Sequence, residues 1–150
     1  MRVVLQKVSE ASVESDGIIR SIGRGYCLLV GVSVDSSKKD ATKLAEKIAA
    51  SRNFEDEDGK INLSIKQVCG EILSISQFTL IADTRKGNRP SFSKSAKREQ
   101  AMELYDHFNQ VLKEQGLDVT TGFFGEMMNV SLTNEGPITI IYESQNGSIV

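Results

Sequence analysis

The sequence predicts an α+β domain of curved, antiparallel-rich β-sheet with two helices packed on it. Three observations lead there. Short apolar runs separated by turn signals fill the first 34 positions, two later segments carry apolar residues at helical spacing, and two β-branched and aromatic runs lie near the C-terminus.

Taken in order, Met1 to Val8 and Ala11 to Ser15 alternate well enough for strands, and Asp16-Gly17 is a strong short hairpin signal. Strands are expected next over Ile18 to Ile22 and Tyr26 to Val34. Gly23-Arg24-Gly25 between them lacks the third glycine and the following helix of a dinucleotide fingerprint, so it reads as a turn. Ser36 or Ser37 caps a helix running to about Asn53, with Ala41, Leu44, Ala45, Ile48 and Ala49 as its apolar stripe. The acidic run Glu55 to Asp58 before Gly59 invites a calcium loop. Phe54 and Ile65 stand where its first and closing ligands belong, so a surface turn fits better. Glu71 to Ile75 is a strand leading into Ser76-Gln77-Phe78-Thr79-Leu80. A second helix spans about Ala96 to Gln115, with Ala101, Leu104, Tyr105, Phe108, Val111 and Leu112 on one face and Gly116 ending it. Leu117 to Thr121 follows as a strand. Met128 to Leu132 and Ile138 to Tyr142 then read as two strands joined by a Gly136-Pro137 corner, and the polar tail from Ser144 to Val150 is expected to be loose.

A chain of 150 residues, 39% hydrophobic and 25% charged, suits one domain with its own core. No signal peptide and no long apolar span is legible, so a cytoplasmic protein without membrane contact is expected. Cys27 and Cys69 both lie in apolar runs and read as buried small hydrophobes rather than a disulfide. The net charge of −2 hides an asymmetry. Arg85, Lys86, Arg89, Lys94, Lys97 and Arg98 fall in one tract without an acid, which leaves 12 basic against 20 acidic residues elsewhere. Such a tract could dock on phosphates, or could be a solvated loop and helix start.

One histidine, His107, argues against a Ser-His-Asp or Cys-His enzyme, and one histidine with two distant cysteines argues against a zinc site. No metal or cofactor is expected. His107 lies beside the apolar face of its helix and reads as a partly exposed helix residue. What remains for chemistry is hydroxyls, carboxylates and backbone. Ser76-Gln77-Phe78-Thr79, at a strand exit, could turn successive N–H groups toward an oxyanion, and an ordinary strand end explains the segment as well. A Gly-Pro corner can aim carbonyl oxygens in a set direction; plain turn punctuation is its bland reading.

Ser76-Gln77-Phe78-Thr79-Leu80 together with Asn134-Glu135-Gly136-Pro137-Ile138-Thr139 resembles the paired signatures of the D-aminoacyl-tRNA deacylase family. The resemblance extends to Gly17, Asp56 with Gly59-Lys60-Ile61-Asn62, Arg89-Pro90-Ser91-Phe92-Ser93 and Gly122-Phe123-Phe124-Gly125, over roughly Met1 to Tyr142. It implies a deacylase-like fold and a homodimeric, metal-independent esterase that removes D-amino acids, and glycine, wrongly attached to tRNA. The site would lie at the subunit interface. Ser76, Gln77, Phe78 and Thr79 would line the scissile ester, with backbone amides on the oxyanion. Gly136 and Pro137 would form a cis pair entering the neighbouring subunit's site, where carbonyls face the α-ammonium and exclude an L side chain. Asn134, Phe124 and Met128 complete the implied substrate-binding set, Phe124 beside the terminal adenine, and Arg85, Lys86 and Arg89 the implied tRNA contacts. The family also implies that the terminal ribose 2′-hydroxyl assists the attacking water; a nucleophilic Thr79 ranks second, since no neighbouring base to activate it is legible. Lys7 stands where Arg is usual, and Glu126 and Met127 replace a small residue and an acid. A non-catalytic nucleic-acid-binding homodimer is the rival reading, explaining the basic tract but not the two signatures.

Overall fold

The computed structural model describes all 150 residues, Met1–Val150. β1 (Arg2–Ser15) is one continuous strand where two were expected. Asp16 and Gly17 turn it into β2 (Ile18–Ile22) with φ of 49° and 79°, the left-handed pair that a tight hairpin needs. β3 (Gly25–Gly31) returns along the first half of β1, while β2 pairs with its second half, so β1 is shared by both. Its other edge is occupied along nearly its whole length by β8 (Asn129–Gln145).

The two C-terminal runs are not a hairpin but one 17-residue strand antiparallel to β1. Gln6 faces Thr139 and Val8 faces Asn134, so Glu135 to Ile138 form an outward excursion opposite Lys7. Both runs match β1 in register on either side of it, which a sequence pattern cannot distinguish from two paired strands.

The sheet is mixed. β6 (Glu71–Ser76) lies parallel to β3, and β7 (Asp118–Thr121) parallel to β6, giving the order β7-β6-β3-β1-β8 with a short β9 (Ser148–Ile149) beyond. Parallel neighbours need crossover connections, and the two helices lie within them: α1 (Lys38–Ala50) between β3 and β6, α2 (Arg98–Glu114) between β6 and β7. A separate antiparallel pair, β4 (Arg52–Glu55) and β5 (Ile61–Ser64), flanks the acidic turn. There the Asp56 carboxylate accepts from the Asp58 and Lys60 amides and from Asn62, so it closes the turn.

Both faces of the sheet are covered. Val3, Leu5, Tyr26, Leu28, Val30 and Ile72 pack on one side against Leu44, Ile48, Leu104, Phe108 and Leu112 of the helices. The second half of β1 and β2 close over the other side, where Val8, Val13 and Ile22 meet Cys27, Leu73 and Ile75. No helix is long and apolar enough to cross a membrane. Cys27 is buried, and burial raises its thiol to about 11; Cys69, expected inside, is exposed at the turn before β6.

The tail is not loose. β8 runs to Gln145, and β9 folds back on it across Asn146-Gly147. Asp40 anchors this hairpin from α1: one carboxylate oxygen accepts from the Ser144 hydroxyl and the Gly147 amide, both at 2.8 Å, and the other from the Ser37 hydroxyl and amide at 2.8 and 2.9 Å. Burial pushes the Asp40 carboxyl up, but these donors outweigh it and hold its pKa below the usual value.

Candidate active site

β3, β6 and β7 run parallel and end at one edge of the sheet, where loops of such sheets tend to gather ligand-binding groups. Ser76 ends β6. Its continuation does not stay extended but tightens into a 3₁₀ turn, Phe78–Ile81. The Gln77 amide is spent on the Val30 carbonyl at 2.8 Å, so it is not an open donor. Phe78 and Thr79 open the turn, where backbone N–H groups have no carbonyl partner within it. Their amides are the pair this segment can offer an oxyanion. The Gln77 side-chain amide donates to the Thr79 hydroxyl, and both Phe78 and Thr79 are exposed.

The Gly122–Gly125 turn leaves β7 beside this segment. The Gly122 amide donates to the Ser74 carbonyl at 2.8 Å, and the Tyr105 hydroxyl donates to the same oxygen at 2.7 Å. Phe124 packs on Tyr105 with ring centroids 5.7 Å apart, and the Arg98 guanidinium lies 5.5 Å from its ring centre. Met128 reaches back under the turn, its sulfur 3.3 Å from the Phe123 amide, while Met127 is 91% exposed. Arg20 was missed by the sequence reading. Its guanidinium sits 4.0 Å from the centre of the Phe123 ring and donates to the Thr121 and Gly122 carbonyls, bracing the turn; nothing in its sequence context marks it.

Ser76, Gln77, Phe78, Thr79, Phe124 and Met128 therefore gather at one edge, but Gly136, Pro137 and Asn134 do not join them within the chain. β8 lies three strands from β6, and the Lys7 row opposite the excursion lies four residues from the Ser76 row. At the usual strand spacing and rise the two signatures are about 19 Å apart.

The excursion is built to hold its shape. The Gly136–Pro137 peptide is cis, and Gly136 has φ of 140°, where a Cβ would lie 2.9 Å from the Ile138 nitrogen and side chain. Asn134 spans the corner: its side-chain oxygen accepts from the Ile138 amide and its amide nitrogen donates to the Thr139 hydroxyl, both at 2.8 Å. Both ends of this side chain thus serve the corner itself. Lys7 backs it from β1, fully buried against the Phe54 ring, with its ammonium 3.7 Å from Glu55 and 3.9 Å from Glu135. Glu126 accepts a hydrogen bond from the Ser15 hydroxyl at 2.8 Å.

After the 3₁₀ turn the basic tract forms a loop closed at its base by paired backbone bonds between Asp83 and Ser91. Arg85 folds back on Asp83 through two side-chain bonds, which hold the Asp83 carboxyl far below its usual pKa. Lys86 and Arg89 are exposed and make no ion pair. Beside them is a polar cleft of about 430 Å³ with Arg2, Asp35, Asp83, Arg85, Lys94 and Glu143 on its walls; Arg2 pairs with Glu143 and Arg85 with Asp83, so its charges largely satisfy one another. His107 hydrogen-bonds Thr42 between the helices at 2.8 Å, away from this edge.

An α+β chain with backbone donors at the exit of β6 and a Gly-Pro corner three strands away on β8 offers the two halves of a candidate hydrolase site. The family model described as D-Tyr-tRNA(Tyr) deacylase matches residues 4–143. Two Staphylococcus aureus proteins called D-aminoacyl-tRNA deacylase, from strains bovine RF122 / ET3-1 and MRSA252, are 56% and 55% identical over 149 residues, covering 99% of this chain and of each relative. The chain belongs to the D-Tyr-tRNA(Tyr) deacylase family. Among solved structures, one titled c-Myc DNA Unwinding Element Binding Protein superposes with a TM-score of 0.89 at 40% identity, covering 96% of this chain and 99% of that one. A second, a probable eukaryotic D-amino acid tRNA deacylase, superposes at 0.82 with 18% identity, covering 95% and 98%, and attests the fold alone.

Proposed function

We propose that this chain performs the hydrolysis its family is named for, releasing a D-amino acid from the ester at the 3′ end of tRNA, and that it clears mischarged glycine in the same way. The observation that carries this reading is its identity of 55–56% with D-aminoacyl-tRNA deacylases over essentially the whole chain. Water adds to the ester carbonyl, the bond to the ribose oxygen breaks, and that oxygen leaves with a proton. The Phe78 and Thr79 amides suit the oxyanion formed on addition. The substrate's own 2′-hydroxyl assists the water, a role supported by the absence of any basic side chain bonded to Thr79, whose hydroxyl accepts from Gln77. Thr79 therefore shapes the site rather than attacking.

Chiral selection comes from Gly136 and Pro137, whose carbonyls face the α-ammonium and leave no room for an L side chain. Their distance of about 19 Å from Ser76 within one chain favours a homodimer in which each corner completes the partner's site. Lys86 and Arg89 carry the tRNA phosphates, while Arg85, expected to join them, is held by Asp83, and a cytoplasmic location follows from the substrate.

The test is deacylation of matched D-tyrosyl-tRNA and L-tyrosyl-tRNA with a metal chelator present. Loss of the D ester alone supports the reading; cleavage of both removes the chiral role of the corner. tRNA ending in 2′-deoxyadenosine should bind but turn over poorly, and full activity on it would remove assistance by RNA. A second reading is a non-catalytic nucleic-acid-binding protein, favoured by the basic tract and by the DNA-binding title of one structural relative. Binding without turnover of either ester would put it first.

A further inference from the structure

Phe78 and Phe92 form an exposed pair with no share in the core. Their ring centroids are 5.0 Å apart and their planes 69° from parallel, and 56% of Phe78 and 37% of Phe92 remain open to solvent. An edge-to-face contact leaves ring faces free for another flat partner. Phe92 follows Ser91, which closes the base of the loop over 84–90. That loop carries Lys86 and Arg89 unpaired, whereas its third cation, Arg85, is held by Asp83. Ser95 ties the two aromatic segments together by donating to the Phe78 carbonyl at 3.3 Å. Aromatic faces beside free cations, in a tract without an acid from 84 to 98, match an unpaired nucleic-acid strand: bases on the rings, phosphates on the cations.

We propose that Phe92 and the 84–90 loop form a subsite for the unpaired nucleotides just 5′ of the substrate's terminal adenosine, one base stacking on the Phe78–Phe92 pair and Lys86 and Arg89 taking the adjoining phosphates. This rests on the tRNA-ester reading, which puts Phe78 beside the ester. A ring 5.0 Å from Phe78 is then close enough to the ester to take a base adjoining the terminal adenosine. Phe92 acts on binding and not on the reacting atoms.

The test compares D-tyrosyl-tRNA with D-tyrosyl-adenosine, which lacks those nucleotides. Phe92→Ala should raise KM for the tRNA by about tenfold, the worth of one base stack, with kcat within about twofold. It should leave hydrolysis of D-tyrosyl-adenosine unchanged, and Phe92→Tyr should restore KM. An equal fall on both substrates would mean that Phe92 only props Phe78, and a changed oligomeric state would mean that it belongs to a subunit contact; either overturns the subsite, as does an unchanged KM. Affinity for uncharged tRNA reads the subsite independently of cleavage. Wild type should bind intact tRNA more than about tenfold more tightly than tRNA trimmed of its unpaired 3′ end, and Phe92→Ala should shrink that difference about tenfold. No such difference in wild type overturns the subsite, whereas failure of wild type to cleave any ester overturns the functional reading instead.

Discussion

Thr79 is held by Gln77 and by no acid or histidine, so its hydroxyl lacks the base a nucleophile needs. Thr79→Ala should keep turnover within about tenfold of wild type, where loss of a true nucleophile costs about 10³-fold or more; single-turnover deacylation decides. The cations of the neighbouring loop are not equivalent. Arg85 is neutralised by Asp83, so Arg85→Ala should change the salt dependence of tRNA binding little, while Lys86→Ala and Arg89→Ala should each reduce the slope of log K against log salt by about one phosphate contact. Equal slopes for all three variants would mean that tRNA pulls Arg85 away from its partner. The sequence marked these side chains as one basic run, because formal charge is legible in a string of letters. The pairing that separates them is a local fold-back that the letters do not carry.

Among the elements, the C-terminal hairpin depends on a residue 104 positions away from the serine it bonds. Asp40 binds Ser144 and Gly147 as a carboxylate, and its depressed pKa gives the sign of the pH effect. The stabilisation is complete above the unfolded value of about 3.9 and is lost as pH falls through the lower folded value. Asp40→Ala should cost about 3 kcal/mol at neutral pH, since it removes charged hydrogen bonds and strands buried donors. Hydrogen exchange at Gly147 should accelerate in that variant, and should accelerate in wild type only below about pH 4; denaturant melts and exchange data test both. The tail read as loose because Ser144-Gln145-Asn146-Gly147-Ser148 is polar. Its order comes from an acid on another element. Both helices were legible to within a few residues because their apolar stripes repeat at 3.6 residues against one core.

For the whole molecule, the distance between the signatures has a measurable consequence. If each site takes the Phe78 amide from one subunit and Gly136 from the other, then Phe78→Pro, which deletes that amide at the first position of the 3₁₀ turn, and Gly136→Ala proteins should each be nearly inactive, yet regain activity when unfolded and refolded together. Random pairing makes half the dimers mixed, each with one intact site, so roughly a quarter of wild-type activity should return. No recovery despite mixed dimers would mean that the site is completed within one chain. The residues themselves announced both helices, the main turns and the strands of the large sheet other than β9, but not the β4–β5 pair, together with the concentration of positive charge and both signature segments, because periodicity, turn chemistry, charge and motif are properties of nearby letters. Only the tertiary structure decided that β3, β6 and β7 run parallel, that the two C-terminal runs are one strand carrying an excursion, and that Phe78 meets Phe92 while Gly136 stays distant from Ser76. Each of those depends on which strand lies beside which, and strand order is set by how the whole chain covers both faces of its sheet rather than by any local run of residues.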